Sequence, residues 1–207
     1  DGYRSLSEEF GVPLLGGDTT SSQDRIAINV TAIGRIARAK VKYRSGAREN
    51  DIVYVTGYLG DSAQGLLDIR SGVYDSPFIA VHHDPHPCVN EGIWLGNQPE
   101  VHAMMDISDG LASDLPHILE ESETGAEISI ERIPTRTTVE LAVTGGEDYQ
   151  LLLTVGAEAA DRIAAEYVRH FGKPLYGIGR IRSGAPDIIW SDNGEVVRPQ
   201  WKGFRHF

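Results

Sequence analysis

A chain of 207 residues with 41% hydrophobic and 24% charged residues has the balance of a globular protein, and is long enough for one large domain or one domain plus part of another. Its net charge of −11 speaks against a nucleic-acid partner, because phosphate backbones are gripped by basic stripes. No apolar run reaches the roughly 18 residues of a membrane span, the polar start "DGYRSLSEEF" lacks a signal peptide's layout, and one cysteine, Cys88, leaves no disulfide framework and points to a reducing, cytoplasmic setting.

Leu6 to Phe10 has weak helical spacing and stops at Gly11. "VPLLGGDTT" follows as a short apolar run broken by a double glycine. In "RIAINVTAIGRI", Arg25 to Ile36, the alternation of Ile26, Ile28 and Val30 predicts a strand. "DIVYVTG", Asp51 to Gly57, suits a buried strand, and Asp61 or Ser62 is placed to cap a helix carrying Leu66, Leu67 and Ile69. From Pro77 to Pro87 prolines and histidines predict a loop. His102 to Ile107 reads as a strand leading into a helix with Leu111, Leu115, Ile118 and Leu119 on one face. Pro116 leaves two options, a kinked helix starting near Ser108 to Gly110 or one starting at Ser113. "AEISIERI" is strand-like, and "VELAVTGGEDYQLLLTV" reads as strand, tight turn, strand. Ala157 to Phe171 is a helix with Ile163, Ala164, Tyr167 and Val168 on one face, and "DIIWSDNGEVV" is a hairpin turning at Asn193-Gly194. Strands and helices mix without strict alternation, which gives an α+β class with a mixed sheet.

Four constellations could carry chemistry. In "GGDTT", Gly16 to Thr20, the double glycine would let backbone N–H groups approach a phosphate, with Asp18 on a metal; an ordinary turn explains it too. In "MDISDGLASDL", Asp106 and Ser108 lie two apart at a strand end and face one side, and Asp109 follows at a helix start that favours anions. Simple capping explains one carboxylate there but not Asp106; Asp114 reads as a charge on the helix surface. "GGEDY", Gly145 to Tyr149, pinches Glu147 and Asp148 into a turn, which polar turns also do. "HHDPHPC", His82 to Cys88, offers zinc-type ligands at spacings that match no usual zinc site, so histidines of a proline-braced loop are the better reading.

Taken in order, "GGDTT", "RSGAR", "GYLGDSAQG", "MDISDGLASDLPHIL", "GGEDYQLLLTV" and the terminal "GFRHF" resemble the thiamine-monophosphate kinase family, within the superfamily of aminoimidazole ribonucleotide synthetase. The resemblance covers nearly the whole chain. It implies magnesium-dependent transfer of the ATP γ-phosphoryl group to thiamine monophosphate, giving thiamine diphosphate. It further implies that Gly17, Asp18, Arg44 and Ser108 contact ATP and that Asp18, Asp106 and Asp109 hold magnesium. Glu147 and Phe204 would bind the substrate, Phe204 standing where the family often has tryptophan. No side chain is implied as general base. The acceptor phosphate is already mostly ionised near neutral pH, its second pKa being about 6, so positioning and charge neutralisation should carry the reaction.

Two departures accompany the resemblance. Family chains begin with a segment absent here that carries paired aspartates and the homodimer interface, and this chain has no Asp-Asp dipeptide. Residues 1–40 then resemble the end of an N-terminal ATP-binding domain and residues 41–207 a C-terminal synthetase-like domain. The connection "IPTRTTVELAV" is also shorter than the family's. A chain of this extent is expected to be inactive alone. The alternatives are a non-catalytic binding module of the same fold or a related enzyme such as selenophosphate synthetase.

Overall fold

A computed structural model describes residues 2–201 and 203. The chain divides into two compact units, Asp1–Arg38 and Ala39–Phe207.

In the first unit, helix α1 spans Gly2–Phe10 and ends at Gly11, whose φ of 64° suits a glycine terminator. The strand expected over Arg25–Ile36 does not form. Alternation is necessary for a half-buried strand but not sufficient, because the backbone also needs a neighbouring strand to bond with. This unit supplies none, and Ile26, Ile28 and Val30 are 92%, 75% and 66% exposed.

The second unit is built on a seven-stranded mixed sheet. Its strands are β1 (Ile52–Val55), β2 (Val101–Asp106), β3 (Gly125–Ser129), β4 (Leu151–Val155), β5 (Tyr176–Arg182), β6 (Ile188–Asp192) and β7 (Glu195–Val197), ordered β2-β4-β1-β5-β3-β6-β7. All neighbours are antiparallel except β3 and β6. Helices α2 (Asp61–Arg70), α3 (Pro77–His83), α4 (Val89–Gly96), α5 (Leu111–Ser122), α6 (Val139–Thr144) and α7 (Ala160–Phe171) complete it. Alternate residues of the central strands point into two separate cores. Val53, Val55 and Leu152 join Leu111, Leu115, Ile118 and Ala142 in one. Tyr54, Leu153 and Val155 join Leu95, Ile163 and Tyr167 in the other. Burial on both faces explains why β1 and β4 are near-continuous apolar runs.

Several expectations need correcting. Val139–Thr144 is helical, with Thr138 Oγ1 accepting from Leu141 N as N-cap, so "GGEDY" joins a helix to a strand. A proline-rich loop is replaced over Pro77–His83 by α3, capped by Ser76 with Pro77 in its first turn, the position where a missing N–H costs nothing. α2 is preceded by Gly60, not capped by Asp61 or Ser62. α5 starts at Leu111 and carries Pro116 inside it. On α7, Val168 is 45% exposed and lies off the buried face. Strand β5 was not legible, since Gly177 and Gly179 dilute its apolar pattern; a β-carbon at Gly179 would strike the Glu127 carbonyl. The hairpin at Asn193-Gly194 is as read, with φ of 49° and 85° matching the primed turn that such a pair favours. Among the described residues no helix is long and apolar enough to cross a membrane.

Candidate active site

Edge strand β2 stops at Asp106, whose side chain is exposed. The chain then turns through Ile107–Asp109 into α5. Gly110, the residue before the helix, has φ 99° and ψ 153°, a conformation open in practice to glycine alone. A β-carbon there would also meet Gly145 O at 2.8 Å and Val143 O at 3.0 Å.

A glycine at this position offers no capping side chain. Asp114, in the first turn of α5, instead ties down the turn before the helix: its Oδ2 accepts from Ser108 N at 2.9 Å and Asp109 N at 3.0 Å. Asp114 is 2% exposed, so it is no surface charge. Burial pushes its carboxyl up; the two hydrogen bonds pull the other way, and Asp109 and Asp106 push it further up.

The second loop locks onto the first. Glu147 N donates to Ser108 O at 2.8 Å, Tyr149 N to Ile107 O at 2.9 Å, and Ile107 N to Gln150 O at 2.8 Å. These bonds continue the β2–β4 pairing beyond its last registered pair, Asp106 and Leu151. The double glycine is a packing requirement. A β-carbon at Gly146 would sit 2.5 Å from Ser108 O, and one at Gly145 the same distance from Leu141 O. Glu147 and Tyr149 hold φ of 65° and 49°, left-handed values that non-glycine residues keep only where surroundings impose them. Next to burial, Glu147, Asp106 and Asp109 push the Tyr149 hydroxyl up, so the three carboxylates share one field.

Between those two strained residues, Asp148 reaches the start of α2. Its Oδ2 accepts from Gly60 N at 2.7 Å and its Oδ1 from Ser62 N at 3.3 Å. Gly60, at φ 89°, leaves the cap of α2 to an aspartate distant in the chain. Burial raises the Asp148 carboxyl from 3.8 to about 7, against the pull of the Gly60 and Ser62 bonds and with a push from Asp61. Beside it, His82 Nδ1 lies 2.9 Å from Ser62 Oγ and 3.5 Å from Glu147 Oε2.

Asp106, Ser108, Asp109 and Glu147 therefore meet at one strand–helix junction. Arg44 is exposed in a short turn, Arg44–Gly46, held to the end of α5 because Ser122 Oγ donates to Arg44 O at 2.7 Å and accepts from Ala47 N at 3.1 Å. Gly17 and Asp18 belong to the first unit and are exposed. Asp18 Oδ1 accepts from Thr19 N at 2.8 Å, and a β-carbon at Gly17 would meet nothing within 4 Å. Phe204 lies outside the described residues. No group of three or more His, Cys, Asp or Glu placed to hold a metal occurs among the described residues. Asp106 and Asp109 are still a fitting donor pair for magnesium, a hard cation that keeps waters and binds through one or two carboxylates plus phosphate oxygens.

The family model described as "AIR synthase related protein, C-terminal domain" matches residues 48–190. The thiamine-monophosphate kinase of Bacillus subtilis (strain 168) is 34% identical over 100% of this chain and 68% of its own length. The chain belongs to the thiamine-monophosphate kinase family. Among solved structures, thiamine-monophosphate kinase from Stenotrophomonas maltophilia K279a superposes with a TM-score of 0.68 at 27% identity, over 78% of this chain and 56% of that one. A structure described as AaThiL complexed with AMPPCP and TMP gives a TM-score of 0.62 at 31% identity, over 79% of this chain and 53% of its own. The chain thus spans little more than half the length of these solved relatives.

Within this thiamine-monophosphate kinase family member, Asp114 was read as a surface charge, Asp148 only as part of a polar turn and His82 only as a residue of a proline-braced loop. Asp114 had a visible signal: it is three residues after Leu111 and four before Ile118, and so falls on the apolar stripe of its own helix. An acid there must face the core or a backbone donor. Asp148 and His82 had no such signal, because their partners are 86 and 20 residues away.

Proposed function

We propose that the protein transfers the γ-phosphoryl group of ATP to thiamine monophosphate, forming thiamine diphosphate. The observation that carries this reading is the lock between the two loops, which places Ser108, Asp106 and Asp109 beside Glu147 through backbone hydrogen bonds of 2.8 and 2.9 Å. A phosphoryl transfer needs a phosphate-binding side and an acceptor-binding side at fixed separation. The family assignment, and the relative bound to AMPPCP and TMP, supply the identities of the two substrates.

Each residue then has a role. The Ser108 hydroxyl donates to a phosphate oxygen, and the exposed Asp106 and neighbouring Asp109 hold magnesium. Bound there, magnesium would offset the repulsion between two phosphate anions and polarise the transferring group. Arg44 adds positive charge to the nucleotide, and Gly17 and Asp18 take the nucleotide and metal roles of the double-glycine motif. Glu147 faces the cationic thiamine moiety, with Phe204 as its aromatic neighbour. A general base is unnecessary, since the acceptor oxygen is largely ionised near neutral pH with a second pKa of about 6. With Asp106, Asp109 and Glu147 at one junction and a net charge of −11, further charge neutralisation comes with the metal.

The decisive assay incubates the full-length protein with ATP, magnesium and thiamine monophosphate and follows thiamine diphosphate by chromatography. Product that disappears without magnesium or with Asp106→Asn supports the reading. A folded protein that binds both substrates without turning them over would sink it and favour a binding module.

A further inference from the structure

We propose that His82 is a positioning residue that orients the Glu147 carboxylate toward the thiamine end of the acceptor, and so helps set recognition of that substrate. The inference rests on the reading of Glu147 as the acceptor-side carboxylate.

Glu147 has a fixed backbone and an unsupported side chain. Its φ of 65° is pinned by the bond to Ser108 O, yet its side chain is 57% exposed. A glutamate in that state samples several rotamers, and only some face one substrate. His82 changes this. Its side chain is 17% exposed, and Nδ1 stands 3.5 Å from Glu147 Oε2 and 2.9 Å from Ser62 Oγ. The short contact to Ser62 Oγ fixes the ring, and the Glu147 carboxylate lies within ion-pair distance of the same nitrogen.

The ring is itself well anchored. Ser62 is 1% exposed in the first turn of α2, next to the backbone N–H that Asp148 caps. Gly65, one turn further along α2, lets α3 come close: a β-carbon there would strike the Phe78 carbonyl and lie 3.0 Å from His82 Cβ. Ser76 and Pro77 start α3 at the residue that carries His82 to this crossing. Glycine on one helix, a capped start on the other and a buried serine therefore converge on one imidazole nitrogen. An exposed acid does not need such support for solubility. It needs it when its direction matters.

The test separates this from a mere staple between α2 and α3. In the full-length enzyme, His82→Ala should raise KM for thiamine monophosphate about tenfold, while kcat and KM for ATP stay within about twofold, the signature of lost ground-state binding. His82→Asn places an N–H close to the Nδ1 position and should restore most of the affinity; His82→Gln, whose N–H falls near Nε2, should not. In a Glu147→Ala background His82→Ala should have no further effect. Equal losses in every kinetic constant, or no difference between the asparagine and glutamine variants, would overturn the proposal. If Glu147→Gln raises KM for thiamine monophosphate and His82→Ala does not, His82 is excluded while the reading of Glu147 stands. If Glu147→Gln itself leaves that KM unchanged, the reading beneath the proposal fails and the proposal with it.

Discussion

Asp106 and Asp114 lie eight residues apart in one acidic stretch and have opposite duties. Asp106 is exposed at a strand end, so Asp106→Asn should leave stability within about 0.5 kcal/mol while cutting kcat sharply. Asp114→Ala removes the acceptor for Ser108 N and Asp109 N, and should cost about 2 kcal/mol of stability, since hydrogen bonds to a charged group are worth about 1.5–3. Urea unfolding of the two variants beside wild type checks both; equal destabilisation would contradict the division of labour. Asp148 adds a pH effect. Its carboxyl is raised in the folded protein from 3.8 to about 7, so the native state holds the proton more tightly than the unfolded chain. Its contribution is fully present below about pH 4 and is lost as pH rises through 7, at about 1.4 kcal/mol per unit of displacement. Asp148→Asn keeps an acceptor without a charge and should flatten the stability profile across that window. A wild-type profile as flat as the variant's would show that Asp148 stays ionised.

At the level of elements, the site is two loops sharing a backbone ladder, and Gly146 is where they come closest. A β-carbon there lies 2.5 Å from Ser108 O and 3.3 Å from Asp109 Cα, both backbone atoms that cannot swing aside. Gly146→Ala should part the loops and lower kcat at least tenfold, about 1.4 kcal/mol of barrier, with a smaller effect on melting temperature. Unchanged turnover would mean that the ladder does not set the catalytic geometry. The same closeness explains what could be read beforehand. β1, β2, the apolar face of α5 and the Asn193-Gly194 hairpin were legible because periodicity and turn chemistry are local. The motif residues were legible as a set, but their joining was not. Val139–Thr144 looked like a strand because its β-branched and apolar residues suit either state; the Thr138 cap decided for helix. The prolines that suggested a loop at Pro77 instead begin a helix. The glycines at 145–146, read only as part of a polar turn, are there because two backbones touch.

Across the whole molecule, the two units differ in what they bury. Every residue of both apolar cores lies at or beyond Ala47, and all seven strands lie within the second unit. α1 has no buried residue, and Leu15, Ile26 and Ile33 are 85%, 92% and 84% exposed. Both apolar cores are therefore built from the second unit's own residues, and the first unit carries a long exposed apolar segment. Contiguous exposed apolar surface beyond a few hundred Å² usually finds a partner, and alternating β-branched segments find it by edge pairing. Residues 39–207 expressed alone should unfold cooperatively and elute as a monomer. The 207-residue chain should associate as concentration rises through roughly 10–100 μM, the range in which exposed apolar surface drives association. Replacing Ile26, Ile28 and Ile33 by serine should abolish that association without changing the unfolding midpoint, because none of the three belongs to either core. Light scattering coupled to size exclusion reads the first outcome and urea unfolding the second. A 207-residue chain that stays monomeric throughout, or a triple variant that loses stability, would show that the apolar segment is already partnered within the chain.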